Sequence, residues 1–426
     1  MLYPEELLHY VWKYRLFDQG SLRSEKGEKL QIINTGRHNH DAGPDFEGAK
    51  IRLENTLWVG NVEIHIRSSD WVRHQHHLDR TYDNVILHVV AEHDLPVYRT
   101  DGTEIPVVKI SDRIPEHIFT NYQQMMNEMC WIPCEKMFNL KSPELLKTWL
   151  SRLLVERMEY RTRQIGALLQ EFKGSWDDAF YISLAVNFGF KINALPFEML
   201  ARSLPRQLYG KYKDNLFQIE ALIFGQAGFL NERRKESYPA QLHIEYSFLK
   251  KKHSLQPIDR FLWKFMRSRP GNFPTVRLAQ FAALMSGSPH LFSKIIYEAD
   301  LSEIESSFSN LPVNEYWKDH WHFEEKSKPG SIFIGEESVS NLLINTIAVF
   351  LFAYGTKTDS AKHIDKGIEI LENLKAENNK IIRKFKKTGF QAECALDSQA
   401  LLQLKKYYCD QKKCLSCGVG IQLLNQ

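Results

Sequence analysis

The stretch that decides the fold runs from Gly43–Phe46 (GPDF) to Val62–His65 (VEIH). It places an acid directly after a Gly-Pro turn and ends on an acid and a histidine two residues apart. Side chains alternate faces along a β-strand, so Glu63 and His65 are expected on one face while their strand neighbours pack into an apolar layer. If Asp45 begins the neighbouring strand, the three polar side chains converge on one rim of a sheet.

These three residues are the chemical groups that a hydrolytic metal site needs. Asp45 and Glu63 offer the carboxylate oxygens that Mg²⁺ and Mn²⁺ prefer. A neutral His65 beside them can orient the attacking water or accept its proton. The alternative is a solvated strand edge, because such triplets are common on protein surfaces. The pattern predicts a metal-dependent phosphodiester hydrolase with Asp45, Glu63 and His65 as catalytic residues.

Length and composition predict a two-domain cytoplasmic protein. The chain has 426 residues, 43% of them hydrophobic and 25% charged, which is typical of soluble globular proteins. The N-terminus shows neither a basic segment nor an apolar core, so no secretory signal is predicted. The longest apolar run, residues 342–354, is shorter than the roughly 20 residues that span a bilayer. We interpret it as a buried helix and expect no membrane partner. Six cysteines without a secretory signal indicate a reducing compartment.

Charge is distributed unevenly along the chain. Residues 1–138 carry a balance of −6, whereas residues 139–426 carry +9. Ten of the 16 histidines also lie in the first part. An acidic, histidine-rich part joined to a basic part suits a metal site beside a surface that binds a polyanion. The alternative is that a charge of +9 spread over so many residues is only mildly basic.

Hydrophobic periodicity divides the chain near residue 138. The first part alternates helical and β-like spacing, and Gly60 is expected to form a bulge in one strand. From residue 142 onward the spacing is helical almost throughout. We therefore predict an α/β or α+β domain with a mixed sheet over residues 1–138 and a larger all-α domain over residues 139–426. The elements expected in the first domain are a helix at 5–16, strands at 29–34, 48–53, 57–66 and 84–91, a hairpin within 97–110 and a helix at 114–129.

The turn before Asp45 and the segment Gly60–His65 (GNVEIH) resemble the PD-(D/E)XK nuclease-like superfamily over about residues 1–110. The resemblance implies a nuclease-like domain that acts on DNA or RNA, in which Asp45 and Glu63 bind the metal. His65 would stand where that superfamily has a lysine that helps to position the water. Histidine does not carry a fixed positive charge at pH 7 as lysine does. A catalytically degenerate nucleic-acid-binding or scaffold protein on the same fold is therefore the alternative.

The whole chain also resembles an uncharacterised bacterial family of similar length, a domain of unknown function. This second resemblance implies no established activity. The stretches that carry it are Asn39–Phe46, Val62–His65, Ser69–Trp71, Asn84–Val90, Arg269–Pro274 and the cysteine-rich C-terminal segment.

Histidines downstream of Glu63 suggest a second kind of metal site. His74, His76 and His77 follow the predicted strand, and Asp79 lies close by in sequence. A His-x-His pair on an extended segment can hold Zn²⁺ with support from a carboxylate. The alternative is a polar loop of unpaired histidines.

His88 differs from these histidines because it interrupts an otherwise apolar strand. A polar ring in such a strand needs a buried partner or faces a site. His88 is therefore an additional candidate metal ligand beside Asp45 and Glu63, and the alternative is a core histidine with a buried partner. A histidine-based zinc hydrolase is an alternative function, and it requires His74 or His76 to lie near Glu63 together with His88.

Cys409, Cys414 and Cys417 lie close together in the C-terminal segment. Thiolates with this spacing can bind Zn²⁺ or an iron–sulfur cluster, with a fourth ligand from Cys134, Cys394 or a histidine. Some nucleases of the resembled superfamily hold their ends together through a cluster bound by one distant and three local cysteines, a role that would suit Cys134. The alternative is a set of free structural thiols, because no second CxxC pair completes the motif.

Basic and aromatic residues alternate between about residues 250 and 277. Such a surface can contact phosphates in a salt-dependent way and stack on bases. The alternative is the solvated face of a helix. The sequence does not indicate an oligomeric state. The candidate nucleic-acid-binding residues are Lys250, Lys251, Lys252, Arg267, Arg269 and Arg277.

Overall fold

The computed structural model describes residues 3–127, 129–138, 143–266, 270–288, 290–297, 300–309 and 311–426. The chain separates into two units, one comprising Met1–Trp149 with Leu404–Gln426 and the other Leu150–Gln403. The sequence-based division differs from this, because it assigns the C-terminal segment to the helical part. Asn121 Nδ2 donates a hydrogen bond to the Leu423 carbonyl at 3.2 Å. Contacts between residues so far apart in sequence cannot be read from local spacing.

A mixed six-stranded sheet organises the first unit, as the sequence predicts. β3 pairs antiparallel with β1, β2 and β4, whereas β4, β5 and β6 run parallel to one another. The order across the sheet is β1-β3-β4-β5-β6, and β2 pairs with β3. The strands are β1 (Leu30–Asn34), β2 (Arg37–His38), β3 (Phe46–Leu53), β4 (Thr56–Arg67), β5 (Val85–Glu92) and β6 (Val107–Lys109).

β5 lies inside the sheet and is buried along almost its whole length. Every residue of this strand except Glu92 is buried, as expected for a strand that is covered on both faces. β3 alternates between buried and more exposed positions along most of its length, the pattern of a strand with one face in the core.

Gly60 permits β4 to approach β5 closely. A Cβ at this position would lie 2.5 Å from Ile86 Cγ2 and 2.6 Å from the carbonyl oxygen of Asn84. The irregularities in strand pairing lie beside Gly60 rather than at it. The bulge predicted at Gly60 is therefore a close approach between strands.

Helices make up most of the remaining structure. α1 begins with Glu5 and Glu6 in its first turn, where carboxylates favour the positive end of the helix. Its buried face includes Leu7, Leu8 and Val11, as its helical spacing predicts. In chain order, helices α1 to α18 are Glu5–Tyr14, Asp70–Arg73, Glu116–Asn127, Pro143–Glu171, Trp176–Phe188, Ala194–Ser203, Arg206–Tyr212, Leu216–Gln226, Ser237–Lys252, Pro274–Gly287, Leu291–Tyr297, Leu301–Ser309, Glu336–Leu342, Ala348–Thr358, Ala361–Asn373, Lys380–Lys387, Ala395–Leu404 and Gly418–Leu424.

The described part of the second unit is mostly helical and contains one small sheet that the sequence does not predict. β7 (His320–His322) and β8 (Glu325–Lys326) pair antiparallel. Glu324 between them has a left-handed φ of 65°, which allows the chain to reverse within a few residues. The expected all-α domain is therefore corrected to a mostly helical one.

The longest apolar segment runs through α13, a π-helical turn at Leu343–Ile347 and α14. Among the described residues, this helix from Glu336 to Thr358 is the one that is long and apolar enough to cross a membrane. Within the fold, 72% of its most apolar window is buried. It thus has the environment of a core helix, as predicted for residues 342–354.

Candidate metal centre

β4 presents Glu63 and His65 on the same face of the sheet. Their exposed fractions are 5% and 2%, and Glu63 Oε1 lies 3.5 Å from His65 Nε2. Val62 and Ile64, which alternate with them, are fully buried. The alternation of the strand therefore places an acid and an imidazole side by side in the interior of the unit.

Asp45 precedes β3 and reaches β4 through hydrogen bonds. Its backbone N–H donates to Glu63 Oε2 at 3.1 Å. Its Oδ2 accepts from the Ile64 backbone N–H at 2.9 Å and lies 3.3 Å from His9 Nε2 on α1. Asp45 and Glu63 are thus neighbours, and the backbone of Asp45 fixes the orientation of the Glu63 carboxylate.

The turn after β4 brings His74 and His76 to this face. His74 Nδ1 lies 3.1 Å from His65 Nε2, and His76 Nε2 lies 3.2 Å from Glu63 Oε1. Gln75 between them has a left-handed φ of 64°, which turns the chain between α2 and the 3₁₀ turn that begins at His76. Within the described chain, His65, His74 and His76 are the one group of three potential metal-binding residues whose ligand atoms all lie within 4.8 Å of one another.

His88 lies behind His65 instead of joining this group. The parallel register of β4 and β5 sets Glu63 opposite His88. His88 Nε2 lies 2.8 Å from His65 Nδ1, which is the ring nitrogen that does not face His74. His88 is fully buried. His88 thus has a buried partner in the His65 ring, and its predicted role as a metal ligand stays a prediction.

Aromatic rings enclose the other side of the histidine group. The Tyr82 ring stacks on His76 with centroids 3.8 Å apart, and Trp71 meets His76 edge-on at 5.3 Å. Tyr82 is not among the residues predicted from sequence, although its place in a polar, histidine-rich loop is a signal that could have indicated it. The Asp79 carboxylate accepts from the Thr81 backbone N–H at 2.9 Å; this hydrogen bond lowers the pKa of Asp79, and the nearby His76 adds to the effect.

Burial determines the protonation of the centre. Burial lowers the pKa of His65 to about 2, and the neighbouring imidazoles add to this effect. Burial likewise lowers the pKa of His88 to about 3. Burial raises the pKa of Glu63, while the hydrogen bond with His76 opposes that shift. Neutral imidazoles keep a lone pair on one nitrogen, which is the form that binds metal ions.

The distances between the potential ligand atoms fit tetrahedral coordination of a metal ion. Zinc–nitrogen bonds are about 2.0–2.1 Å long, so two ligands on one zinc ion lie about 3.4 Å apart. His65 Nε2 and His74 Nδ1 lie 3.1 Å apart, close to this separation. Mg²⁺ and Mn²⁺ favour oxygen ligands, whereas imidazole suits zinc and other transition metals. The donor set therefore suits Zn²⁺ better than the Mg²⁺ or Mn²⁺ expected from sequence.

Four of the predicted nucleic-acid-binding residues are described, and they lie in the second unit. Lys250–Lys252 form the last turn of α9, where Lys251 and Lys252 are exposed. Arg277 on α10 is only 3% exposed and donates to Gln280 Oε1 at 3.0 Å and Ser338 Oγ at 2.7 Å. Arg277 is thus an interior residue and not the surface phosphate contact that the sequence suggests, because α10 is buried along most of its length. Two further candidates, Arg267 and Arg269, lie outside the described residues.

The candidate cysteines divide between the units. Cys134, Cys409, Cys414 and Cys417 lie in the first unit. Cys394 lies in the second, where its sulfur is 3.8 Å from Asp397 Oδ2. Of the two cysteines proposed as a fourth ligand, Cys134 is therefore the one that shares a unit with the C-terminal cysteines.

Comparison with known protein families assigns the chain to one of them. It belongs to the family described as Protein of unknown function (DUF2851), whose model matches residues 5–380. The predicted membership of a domain-of-unknown-function family is thereby confirmed. No curated protein and no solved structure matches the chain.

Proposed function

We propose that this member of the DUF2851 family is a metal-dependent hydrolase in which His65, His74 and His76 hold the ion and Glu63 is the general base. The observation that carries the proposal is the convergence of three ring nitrogens within 4.8 Å of one another. Three protein ligands leave the fourth tetrahedral position open to water, as in catalytic zinc sites.

Glu63 has the position that a general base requires. A bound Zn²⁺ would act as a Lewis acid and lower the pKa of a bound water molecule to about 7. Glu63 Oε1 lies 3.5 Å from His65 Nε2 and 3.2 Å from His76 Nε2, so a water beside these ligands is within its reach. Glu63 Oε2 accepts the Asp45 N–H at 3.1 Å, which leaves Oε1 to accept the proton.

The three proposed ligands differ in the contacts that hold their rings in place. His65 is held by His88 at 2.8 Å, and His76 is held by the stacked ring of Tyr82. His74 is exposed, and its Nε2 lies 3.5 Å from the guanidinium of Arg73. His74 therefore marks the side of the centre that is open to solvent.

A cleft of about 1060 Å³ includes Arg73 in its lining and thus borders the exposed ligand. Its other cations are Arg67 and Lys109. All three cations pair with carboxylates, at 3.1 Å for Arg67, 3.0 Å for Arg73 and 2.6 Å for Lys109. A long polyanion requires many unpaired positive charges. Because four carboxylates also line the cleft, its charges argue against a long polyanion as its ligand.

A nuclease-like activity is the second candidate, favoured by one specific observation. Asp45 directly precedes β3, Glu63 lies on the adjacent β4, and 3.1 Å separates the Asp45 nitrogen from Glu63 Oε2, in a mixed sheet that follows α1. This supports the resemblance to the PD-(D/E)XK superfamily. In this alternative Asp45 and Glu63 bind Mg²⁺ or Mn²⁺, His65 positions the water, and DNA or RNA is the substrate.

Metal analysis of the purified chain tests the main proposal. We expect zinc in the wild type, its loss in His76→Ala and its retention in His77→Ala. His77 is a matched control because it is the next residue of the same 3₁₀ turn and lies outside the histidine group. Hydrolysis of bis(4-nitrophenyl) phosphate should follow the zinc content.

Three outcomes would overturn the proposal that the protein is a zinc hydrolase. Zinc retained in His76→Ala would exclude the ligand set. Cleavage of DNA or RNA that depends on Mg²⁺ or Mn²⁺ and disappears in Asp45→Ala would favour the second candidate. Salt-dependent binding of DNA without hydrolysis under any metal condition would indicate the degenerate scaffold.

A further inference from the structure

A cavity of about 380 Å³ lies in the second unit, where two helices begin. Its lining includes Asn193, the N-cap of α6, and Pro274, the first residue of α10. The N-terminus of a helix carries partial positive charge and favours anionic groups. The volume is within the range of sites for small molecules. The residues of the proposed metal centre all lie in the first unit, so the hydrolase proposal gives this cavity no role.

Arg277 of α10 lines the cavity and is only 3% exposed. Its Nη1 donates to Gln280 Oε1 at 3.0 Å. Its Nη2 donates to Ser338 Oγ at 2.7 Å and to Asn272 Oδ1. Within the part of the chain that the structure describes, Nε has no hydrogen-bond acceptor. All the acceptors are neutral, so the charge of Arg277 is buried without a carboxylate partner among the described residues.

A buried charge of this kind requires compensation. Moving a charged group out of water costs free energy, which an opposite charge and hydrogen bonds offset. Burial lowers the pKa of Arg277 to about 10, so the guanidinium remains charged at neutral pH. Carboxylates are well suited to pair with a guanidinium, because the planar fork of donors matches their two oxygens. A carboxylate bound in the cavity would supply the compensating charge.

Aromatic rings form the walls beside Arg277. The Phe190 ring lies 4.6 Å from Arg277 Cζ and covers the guanidinium. Phe190 has a left-handed φ of 49°, which is unusual for a bulky residue. Phe188 and Phe197 also line the cavity, and both are fully buried. Such walls suit the apolar body of a ligand, while Arg277 suits its anionic group.

Three exposed residues mark the mouth of the cavity, namely Ile192, Asn272 and Glu337. A ligand can therefore enter from solvent. Glu337 is the one acid among the lining residues, and water and salt screen its charge because it is exposed. The charge of Arg277 is buried and is screened much less. The interior of the cavity thus favours an anion despite the acid at its mouth.

We propose that this cavity binds a small monocarboxylate with an apolar or aromatic body, and that Arg277 pairs with its carboxylate group. The neutral acceptors on Nη1 and Nη2 hold the guanidinium in place. Phe188, Phe190 and Phe197 contact the apolar body. This binding is independent of the proposed hydrolase, because the two sites lie in different units.

Isothermal titration of the full chain with 3-phenylpropionate tests the proposal. We expect the wild type to bind this acid at least about tenfold more tightly than its neutral analogue 3-phenylpropan-1-ol. Arg277→Met should weaken binding of the acid by about 10–100-fold and leave binding of the alcohol unchanged. Arg202→Met is the matched control, because Arg202 is an exposed arginine of the same unit that pairs with Glu198 at 2.9 Å. It should bind like the wild type.

A substitution at the mouth keeps the test valid if Arg277→Met does not fold. Ile192 is 38% exposed, so Ile192→Glu should fold and place a negative charge where the ligand enters. We expect binding of 3-phenylpropionate to weaken about fivefold. Ile244→Glu is the control, because Ile244 is 61% exposed on α9 and is not part of the lining.

Several results would overturn the proposal. One is a wild type that does not bind 3-phenylpropionate, or that binds the acid and the alcohol equally. Another is equal affinity for the acid in Ile192→Glu and Ile244→Glu. Inorganic phosphate that binds in a manner dependent on Arg277 and excludes 3-phenylpropionate would replace the carboxylate with a different anion.

Discussion

His65 Nδ1 and His88 Nε2 lie 2.8 Å apart in the interior of the sheet. This contact occupies the one ring nitrogen of His65 that points away from His74, whose Nδ1 lies 3.1 Å from His65 Nε2. A partner on one imidazole nitrogen sets the tautomer and orientation of the ring and thereby decides which nitrogen can bind a metal. His88 thus acts on the proposed ion through His65.

Replacement of His88 should weaken metal binding without removing a ligand. His88→Phe retains a ring in the buried strand but loses the contact with His65 Nδ1. Loss of such support typically weakens metal binding by about 10–100-fold. Competition with a chelator measures the change, with His77→Ala as the control. Unchanged zinc affinity in a folded His88→Phe variant would contradict the supporting role.

Glu63→Gln should separate catalysis from metal binding. Its amide oxygen can still accept the Asp45 N–H, which lies 3.1 Å from Glu63 Oε2 in the wild type, but an amide cannot accept the proton from water. We expect normal zinc content and a kcat for bis(4-nitrophenyl) phosphate that is about 10²–10⁴-fold lower. Loss of zinc together with activity would instead make Glu63 a ligand.

Asp45→Ala distinguishes the two candidate functions. The variant leaves the Ile64 N–H without its acceptor at 2.9 Å, which should lower the free energy of unfolding by about 1–3 kcal/mol. If the protein is a zinc hydrolase, the variant should still bind zinc, because the three proposed ligands are histidines and Asp45 is not one of them. Denaturation and metal analysis are the measurements. Mg²⁺-dependent DNA cleavage that is present in the wild type and lost in Asp45→Ala would support the nuclease instead.

Glu220 should make stability depend on pH. The residue is 1% exposed, and burial raises its pKa to about 7 from an ordinary value of 4.5. The folded state therefore holds the proton more tightly than the unfolded state. As the pH rises from about 4.5 to 7, the wild type should lose about 3 kcal/mol of stability. The loss should be complete above pH 7.

Urea denaturation at several pH values measures this effect. Glu220→Gln cannot ionise and should lack that part of the pH dependence. Glu232→Gln, at an exposed position of the same unit, should resemble the wild type. A parallel pH dependence in the wild type and Glu220→Gln would assign the effect to other groups.

Gly60→Ala should destabilise the sheet that carries the centre. The added Cβ would lie 2.5 Å from Ile86 Cγ2, so β4 and β5 must separate. We expect a loss of about 1–3 kcal/mol. Gly166→Ala is the matched control, because its Cβ meets nothing within 4 Å in α4, and it should stabilise the chain by about 0.5–1 kcal/mol. A thermal melt compares the two variants.

The local sequence pattern predicts the parts of the fold that depend on residues close together in the chain. The apolar run of β5 and the turn before β3 are visible in the sequence, because burial on both faces requires continuous apolar residues. Family membership also follows from sequence. The small sheet of β7 and β8 escapes prediction because strands of three and two residues are too short to show a period.

Sequence by itself determined that Glu63 and His65 share one face of a strand, because alternation is a property of the extended backbone. Only the tertiary structure decided that His74 and His76 join them while His88 lies behind. That choice depends on the turn at Gln75, with its φ of 64°, and on the register that pairs β4 with β5. Both place side chains in space through contacts between separate segments, which residue spacing along the chain does not encode.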